Sequence, residues 1–500
     1  MNSRGFTPGS VLAKNSLLNL MGMIIPPVVG IVAIPFAIRG LTTDGFGILS
    51  IVWIFLGYLG ILDFGISRAS TKFAAESLSK RDNGFSSVFW ISLRLNFLFG
   101  IAGALIILLT KDFLITNILN VPDLYVKETE LSFIYLGIAL PFILLSLSMK
   151  GILGAAQRFD LVNFVYVPTT VVSLLIPAMS YFFKYDLSTV VLLIIVTRIC
   201  AALVYFYICI KIFRTRLFPV RIETPALKKM MIYGGWVTVS GIISPLLVYM
   251  DRIFIGAFLS MSDVSFYSAP FEAIYRLRII SIALMTTFFP EFSALGSQNN
   301  RTAILMSRSI KIILISTGVA SILLFFFSRD ILSLWLGKSF MHQSTTIFRI
   351  FSIGIAINAL AYVPFTVFQG TGRPDLPAKF HILEFPVYIV LLFVGIKLFG
   401  IKGAAVAWMV RIILDFSLLY YKFYPNILST LKRERIGLEL VMLFFLGCTL
   451  FINNKIFSSL GMRSLVGLMV VVVFFWVAWN RLAGNSEKEL LRSLIKRREG

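Results

Sequence analysis

Cysteine and histidine are nearly absent from this chain, which has three of one and two of the other in 500 residues. Cys200, Cys209 and Cys448 all fall inside hydrophobic segments, and the first two share one predicted helix. Nine residues of helix rise about 13 Å, too far for a disulfide to close. His342 and His381 have no ligand-like spacing around them. The sequence therefore argues against structural zinc, redox chemistry and a disulfide framework, and no metal or cofactor is expected.

Charge is the second scarcity. Charged residues make up 14% of the chain and hydrophobic ones 58%, with a mean hydropathy of +0.89. A soluble protein carries roughly 25% charged residues, so too little polar surface is available to face water. Long polar stretches are missing as well. The largest are 65–87, 211–230 and 481–500, none of which can bury a core of its own. The first apolar segment, Leu17–Ile38, lacks a small-residue cleavage site and reads as an uncleaved first helix.

What is present is a series of apolar blocks of about 20 residues, the length a helix needs to cross about 30 Å of hydrocarbon. Inside a bilayer each block must satisfy its own backbone hydrogen bonds, so each is a helix. The predicted spans, numbered 1 to 14, lie near 17–38, 47–64, 88–109, 131–149, 164–183, 189–210, 231–258, 265–289, 309–327, 346–368, 382–398, 403–421, 438–452 and 464–480. The fold class is an all-α polytopic membrane protein of about fourteen spans.

The formal charge of +22 and a pI near 10.0 follow from orientation. A cytoplasmic N-terminus puts Lys14, Arg68, Lys72, Lys80, Arg81, Lys150 and the tail Arg492–Arg498 on one side. The other side keeps few basic residues, such as Arg39, Lys111 and Lys127. That bias predicts both termini in the cytoplasm and an even number of spans. The basic tail reads as an anchor at an anionic leaflet. No loop interleaves a basic run with aromatics, so nucleic acid is not an expected partner.

Short matches recur at a nearly constant offset. Lys111-Asp112-Phe113-Leu114 is echoed by Arg329-Asp330-Ile331-Leu332, and Arg158-Phe159-Asp160-Leu161 by Arg373-Pro374-Asp375-Leu376. Leu41-Thr42-Thr43-Asp44 is echoed by Leu259 with Asp263, and the three offsets are 218, 215 and 219 residues. Each match displaces the chain by six spans, an even number, so the two copies share one orientation. The repeat predicts an N-terminal lobe at 1–222, a C-terminal lobe at 223–430, and spans 13 and 14 with a basic tail at 431–500.

The first eighty residues carry a family resemblance. They read Asn15-Ser-Leu-Leu-Asn19, Ile34-Pro35, Leu41-Thr-Thr-Asp-Gly-Phe-Gly-Ile48 and Leu62-Asp-Phe-Gly-Ile-Ser-Arg-Ala69, ahead of Lys72-Phe-Ala-Ala-Glu76. The second half adds Asp251-Arg-Ile-Phe-Ile-Gly256, Tyr267-Ser-Ala-Pro270 and Phe289-Pro-Glu-Phe-Ser293. This pattern resembles the polysaccharide flippases (Wzx-type O-antigen and exopolysaccharide transporters) of the multidrug/oligosaccharidyl-lipid/polysaccharide exporter superfamily. The resemblance is good over roughly residues 10–380 and weak afterwards. It implies two lobes around a central, often cationic cavity. It also implies transfer of an undecaprenyl-pyrophosphate-linked oligosaccharide across a bacterial cytoplasmic membrane, with a polysaccharide polymerase and a chain-length regulator as working partners.

Ionisable residues within spans cost at least about 2.5–3.5 kcal/mol each at mid-membrane, so each needs a reason. Arginine suits an anionic lipid, because its guanidinium fork binds phosphate oxygens bidentately and stays charged. The candidates for the lipid pyrophosphate are Arg276, Arg278, Arg198, Arg94, Arg349 and Arg411. Arg278 leads, having no acid three or four residues away and pointing about 200° around a straight helix from Arg276. Arg94 and Lys311 stand near helix ends and have snorkelling as a bland alternative, as does Arg349. Glu272 with Arg276, and Arg411 with Asp415, are spaced to neutralise each other at i and i+4. Asp251, Glu272, Glu384 and Asp415 are the candidates for a coupling ion. Asp63 reads as a helix-end residue that bonds backbone or Arg68.

Three function classes compete: a lipid-linked oligosaccharide flippase, a small-molecule cation antiporter of the same superfamily, and a membrane polysaccharide polymerase or ligase. The basic excess inside the spans disfavours the cation exporter. The longest predicted outer loop, near 110–130, has no His, no Cys and no catalytic spacing, which disfavours an enzyme.

Overall fold

The computed structural model describes residues 9–80, 84–156, 158–213, 243, 246–285, 300–371, 373, 375–431 and 468–474. Among them there is no strand. The helices are α1 (Gly9–Tyr58), α2 (Ile66–Lys80), α3 (Gly84–Phe113), α4 (Val126–Ala155), α5 (Phe159–Phe183), α6 (Leu187–Phe213), α7 (246–258), α8 (Met261–Tyr275), α9 (278–285), α10 (Asn300–Phe326), α11 (Ser328–Trp335), α12 (Lys338–Gly370), α13 (Asp375–Leu431) and α14 (468–474).

Eight described helices are long and apolar enough to cross a membrane. Two of them serve two predicted spans each. The segment Asp375–Lys422 has 48 residues, which at 1.5 Å per residue is more than twice the hydrocarbon thickness. It is broken at Gly400 (φ 58), as α1 is broken at Thr42 (φ 67). Spans 1 to 6 and 9 to 12 thus fall on described helices. Span 13 (438–452) lies outside the described residues, spans 7, 8 and 14 are described only in part, and span 8 is interrupted by a turn at 276–277. Helices run on through Pro141, Pro168, Pro177, Pro270 and Pro364. The breaks fall elsewhere, at residues with positive φ.

Much of this apolar surface has no partner inside the protein. Only 22% of the most apolar window of Phe85–Ile118 is buried, and Leu98, Leu105, Ile106 and Leu109 are all exposed. In water such a face would be strongly unfavourable; against acyl chains it costs nothing. The protein is a multi-pass membrane protein.

The described chain divides into two units, Met1–Ala269 and Pro270–Gly500, the division falling inside α8. In the first unit α1 lies along α5, α3 along α4, and α4 along α6. Its core gathers Ile66, Phe89, Met149, Ile152, Leu153 and Tyr205. Here the structure corrects one expectation: the polar stretch 65–87 is not a loop. It holds α2, which packs on α3 and α4 through Ile66, Ala69, Ser70 and Ala74. Those positions follow helical spacing, but a helix apolar on one face only escapes a search for 20-residue apolar blocks. Asp63 starts it, with both carboxylate oxygens accepting the Ser67 N–H at 3.0 Å, a stabilising place for a negative charge. The predicted loop near 110–130 is likewise short. A π turn (Leu114–Ile118) and a 3-10 turn (Asp123–Tyr125) leave only four residues between them.

In the second unit α12 packs on α10 and α13 around Leu360, Val363 and Val367. The Gly400 break folds the two limbs of α13 into a hairpin so tight that a Cβ on Gly403 would lie 1.8 Å from the Gly395 carbonyl oxygen. Farther along the second limb, Trp408 meets Phe351 and Phe271 edge-on at 5.2 and 5.7 Å.

The sequence repeat has a structural counterpart in matching turns. Arg158 forks onto Asp160 at 3.0 and 2.9 Å, and Arg373 onto Asp375 at 3.1 and 3.5 Å. The backbones match too: Arg158 N–H donates to Leu153 and Arg373 N–H to Phe368, each five residues back. In both turns the aspartate holds the guanidinium above its ordinary pKa through a side-chain hydrogen bond. Thr42 accepts the Gly45 N–H at 3.4 Å, and 218 residues on, Ser260 accepts the Asp263 N–H at 3.1 Å. The recurring letters encode recurring turns.

Replacing Gly403 by Ala forces the α13 hairpin apart and is expected to cost about 1–3 kcal/mol, read as a lower unfolding temperature in detergent. Gly57→Ala, whose Cβ meets open space, should leave that temperature unchanged or raised.

Candidate functional site

The predicted charges resolve into three settings. In the first unit, Arg198 on α6 lines a partly open pocket between α4, α5 and α6 with a cavity volume of about 80 Å³. Lys150 of α4 lines the same pocket, its ammonium 4.7 Å from the centre of the Tyr166 ring. The Arg198 Nε is fully enclosed and has no hydrogen-bond partner. Sequence reasoning counted Lys150 only as a topology charge. Nothing local in the sequence links positions 150 and 198; the packing of α4 on α6 does.

The second setting surrounds Arg276 and Arg278. Glu272 and Arg276 form the expected i,i+4 ion pair at 3.6 Å, both half-buried. The helix does not run straight through them. Residues 276–277 form a turn, with Leu277 and Ile280 N–H groups donating three residues back at 3.0 and 3.1 Å. The angle expected for an unbroken helix therefore does not apply to Arg278. Its guanidinium hydrogen-bonds the Tyr275 hydroxyl and lies over the Tyr275 and Tyr362 rings at 4.6 and 5.9 Å. Two aromatic faces thus hold the cation.

The third setting is the α13 hairpin. Arg411 Nε lies 3.8 Å from Glu384 Oε2, with the two side chains 7% and 0% exposed. One step farther from the turn, His381 Nε2 lies 3.8 Å from Asp415 Oδ1. Arg411 was expected to pair along its own helix with Asp415; the hairpin brings it to Glu384 across the limbs. His381, isolated in the sequence, joins the same cluster because its limb folds back. The pairs 395/403, 384/411 and 381/415 step along one hairpin in register. Two acids, a guanidinium and an imidazole in so dry a place bind or release a proton or small cation only by shifting one another. Among the described residues, no cluster of three or more His, Cys, Asp or Glu could hold a metal ion.

The remaining candidates sit on α12, α3, α7 and α10. Arg349 donates to the Ser328 hydroxyl at 3.0 Å and faces the Phe325 ring at 5.5 Å, beside the start of α11. Arg94 is half-buried on α3. Asp251, on α7 in the first unit, is fully buried and accepts from the Tyr267 hydroxyl at 2.6 Å. Lys311 is half-buried on α10.

A lipid-facing bundle of apolar helices that keeps such charges inside it, and repeats its turns at a constant offset, defines a membrane transporter of the flippase and exporter class. The chain belongs to the polysaccharide biosynthesis protein family, which matches residues 12–296. It is 32% identical over 419 residues to a Shigella flexneri protein named as an O-antigen transporter, covering 82% of this chain and 97% of that one. A Haloferax volcanii protein named as a flippase of low-salt glycan biosynthesis is 25% identical over 247 residues, 48% of this chain and 51% of its own. Among solved structures, the lipid II flippase MurJ in an inward closed conformation aligns with a TM-score of 0.69 at 13% identity, covering 94% of this chain and 99% of that one. An inward-facing multidrug MATE transporter aligns at 0.63 and 14% identity, covering 82% and 98%. At that identity the likeness concerns the fold. The relatives are transporters and flippases, in line with a transporter and not an enzyme.

Arg411→Gln strands Glu384 in the hairpin and is expected to cost about 3–5 kcal/mol. Adding Glu384→Gln should recover most of that loss in a thermal unfolding assay. Losses that merely add would show that the two side chains do not act as a pair.

Proposed function

We propose that this protein moves an undecaprenyl-pyrophosphate-linked oligosaccharide, an O-antigen or exopolysaccharide repeat unit, from the inner to the outer leaflet of a bacterial cytoplasmic membrane. The observation that carries the reading is the near full-length relationship to the Shigella flexneri protein. Arginines inside the apolar spans support it, since a lipid pyrophosphate needs charge-assisted donors on its way across. Arg276 and Arg278 are the first contacts, with Arg198, Arg94, Arg349 and Arg411 as further positions.

Transport proceeds by alternating access of two parallel halves, 1–222 and 223–430, with 431–500 as an appendix and both termini in the cytoplasm. The repeated turns support two copies of one structural unit. A cation or proton drives the cycle, and the hairpin acids Glu384 and Asp415 are its foremost carriers, with Asp251 and Glu272 behind them. A polysaccharide polymerase and a chain-length regulator receive the product on the far side.

In proteoliposomes, wild-type protein should flip a fluorescent undecaprenyl-pyrophosphate oligosaccharide, and Arg276→Ala or Arg278→Ala should slow flipping at least tenfold at equal protein abundance. pH-driven efflux of an organic cation, with no movement of any lipid-linked glycan, would instead make this an exporter of cations.

The coupling assignment has its own test. Glu384→Gln and Asp415→Asn should each abolish acceleration of flipping by an imposed ion or pH gradient while leaving slow, gradient-independent movement. Full gradient dependence in a variant lacking Asp251, Glu272, Glu384 and Asp415 together would eliminate coupling through these acids.

A further inference from the structure

We propose that the pocket between α4, α5 and α6 is a binding site for a hydroxyl-bearing phosphate ester, held by Lys150 and Arg198 within the first unit. The argument starts from charge. Lys150 and Arg198 line one cavity closely enough to repel each other, and no lining residue is acidic. Two half-buried cations with no carboxylate lining the pocket are unfavourable, because each loses part of its hydration and gains a like-charged neighbour. An anion that bridges them turns one repulsion into two attractions. The Arg198 Nε, itself without exposed surface, has no protein acceptor, so no hydrogen bond at that atom ties the guanidinium to the protein.

The donor set selects the anion. A guanidinium presents parallel N–H groups that fit two oxygens of a tetrahedral oxyanion, while an ammonium adds a point charge from the side. A cavity of about 80 Å³ that is partly open to the outside is more than a halide needs and admits a phosphate, with the group it esterifies reaching out through the opening.

The rest of the lining says what that group carries. Ser146, Thr169 and Thr170 donate their hydroxyl protons to the carbonyls of Phe142, Val165 and Tyr166 at 3.0, 2.7 and 2.8 Å. Their oxygens therefore face the cavity as acceptors, which suits a ligand that brings hydroxyl donors of its own. Tyr166 supplies an aromatic wall already engaged with Lys150. A sugar phosphate of a lipid-linked glycan has this chemistry, and so has the glycerol-phosphate headgroup of phosphatidylglycerol. The site itself does not depend on the flippase reading, which bears only on which source fills it.

The test uses the full chain in phosphatidylcholine nanodiscs. Two probes are titrated separately: phosphatidylglycerol, and undecaprenyl pyrophosphate bearing one sugar. At least one should bind saturably at one site per chain, and Lys150→Gln or Arg198→Gln should each weaken it tenfold or more, as expected for loss of a charged hydrogen-bond donor. Lys150→Arg, which keeps the charge, should retain most of the affinity and show that the fold is intact, while Arg198→Lys, which keeps the charge but loses the fork, should bind more weakly than wild type and more tightly than Arg198→Gln. Binding of phosphatidylglycerol alone assigns the pocket to a membrane lipid; binding of the prenyl probe assigns it to the transported substrate. Binding of neither probe, or binding undiminished by both glutamine variants, overturns the proposal. Wild-type protein that binds through Lys150 and Arg198 yet flips no lipid-linked glycan would overturn the transport reading and leave this site standing.

Discussion

A peptide group in hydrocarbon has no water to bond, and this constraint governs nearly everything in the molecule. Each N–H and C=O left unpaired costs several kcal/mol, so the chain closes its backbone hydrogen bonds within helices and spares few residues for connections. The turns are correspondingly short. At Gly400 a single residue with φ 58 separates two helical limbs, and Arg158 and Arg373 close their turns with a backbone bond and a fork onto an aspartate. Even the polar stretch after Asp63 becomes a helix, because a helix lying against α3 and α4 satisfies its backbone while burying Ile66, Ala69 and Ala74.

The same low dielectric makes every interior charge a commitment. Some are answered within the protein: Glu272 by Arg276, Glu384 by Arg411, Asp251 by the Tyr267 hydroxyl. Arg278 rests on two tyrosine rings. Lys150 and Arg198 share a pocket without an acid. A protein that only needed to sit in the bilayer would gain by replacing such groups with apolar ones. Their presence is in keeping with the transport proposed above.

How much of this was legible beforehand differed by level. The helices at spans 1 to 6 and 9 to 12 were readable, because apolar blocks of membrane length permit no other backbone solution. Two of the three short matches recur as turns with the same hydrogen bonds, at Arg158 and Arg373 and at Thr42 and Ser260. The helix α2 was not found, being only half apolar. The π and 3-10 turns inside the predicted loop near 110–130 were missed for a similar reason: they bury little and leave no periodic trace. Among candidate site residues, Glu272 with Arg276 was correct because i and i+4 always meet on a helix. Arg411 with Glu384 and His381 with Asp415 were invisible, being contacts between helical limbs, and so was the pocket that Arg198 and Lys150 share.

The sequence by itself determined that this is a multi-pass helical membrane protein with an internal repeat and charges kept inside its spans, because hydrophobicity, helical period and the cost of burying ions act locally along the chain. Only the tertiary structure decided which of those charges meet. That choice depends on which helix faces pack and how the Gly400 hairpin sets its register, and a register is a property of two surfaces in contact, which neither segment specifies alone.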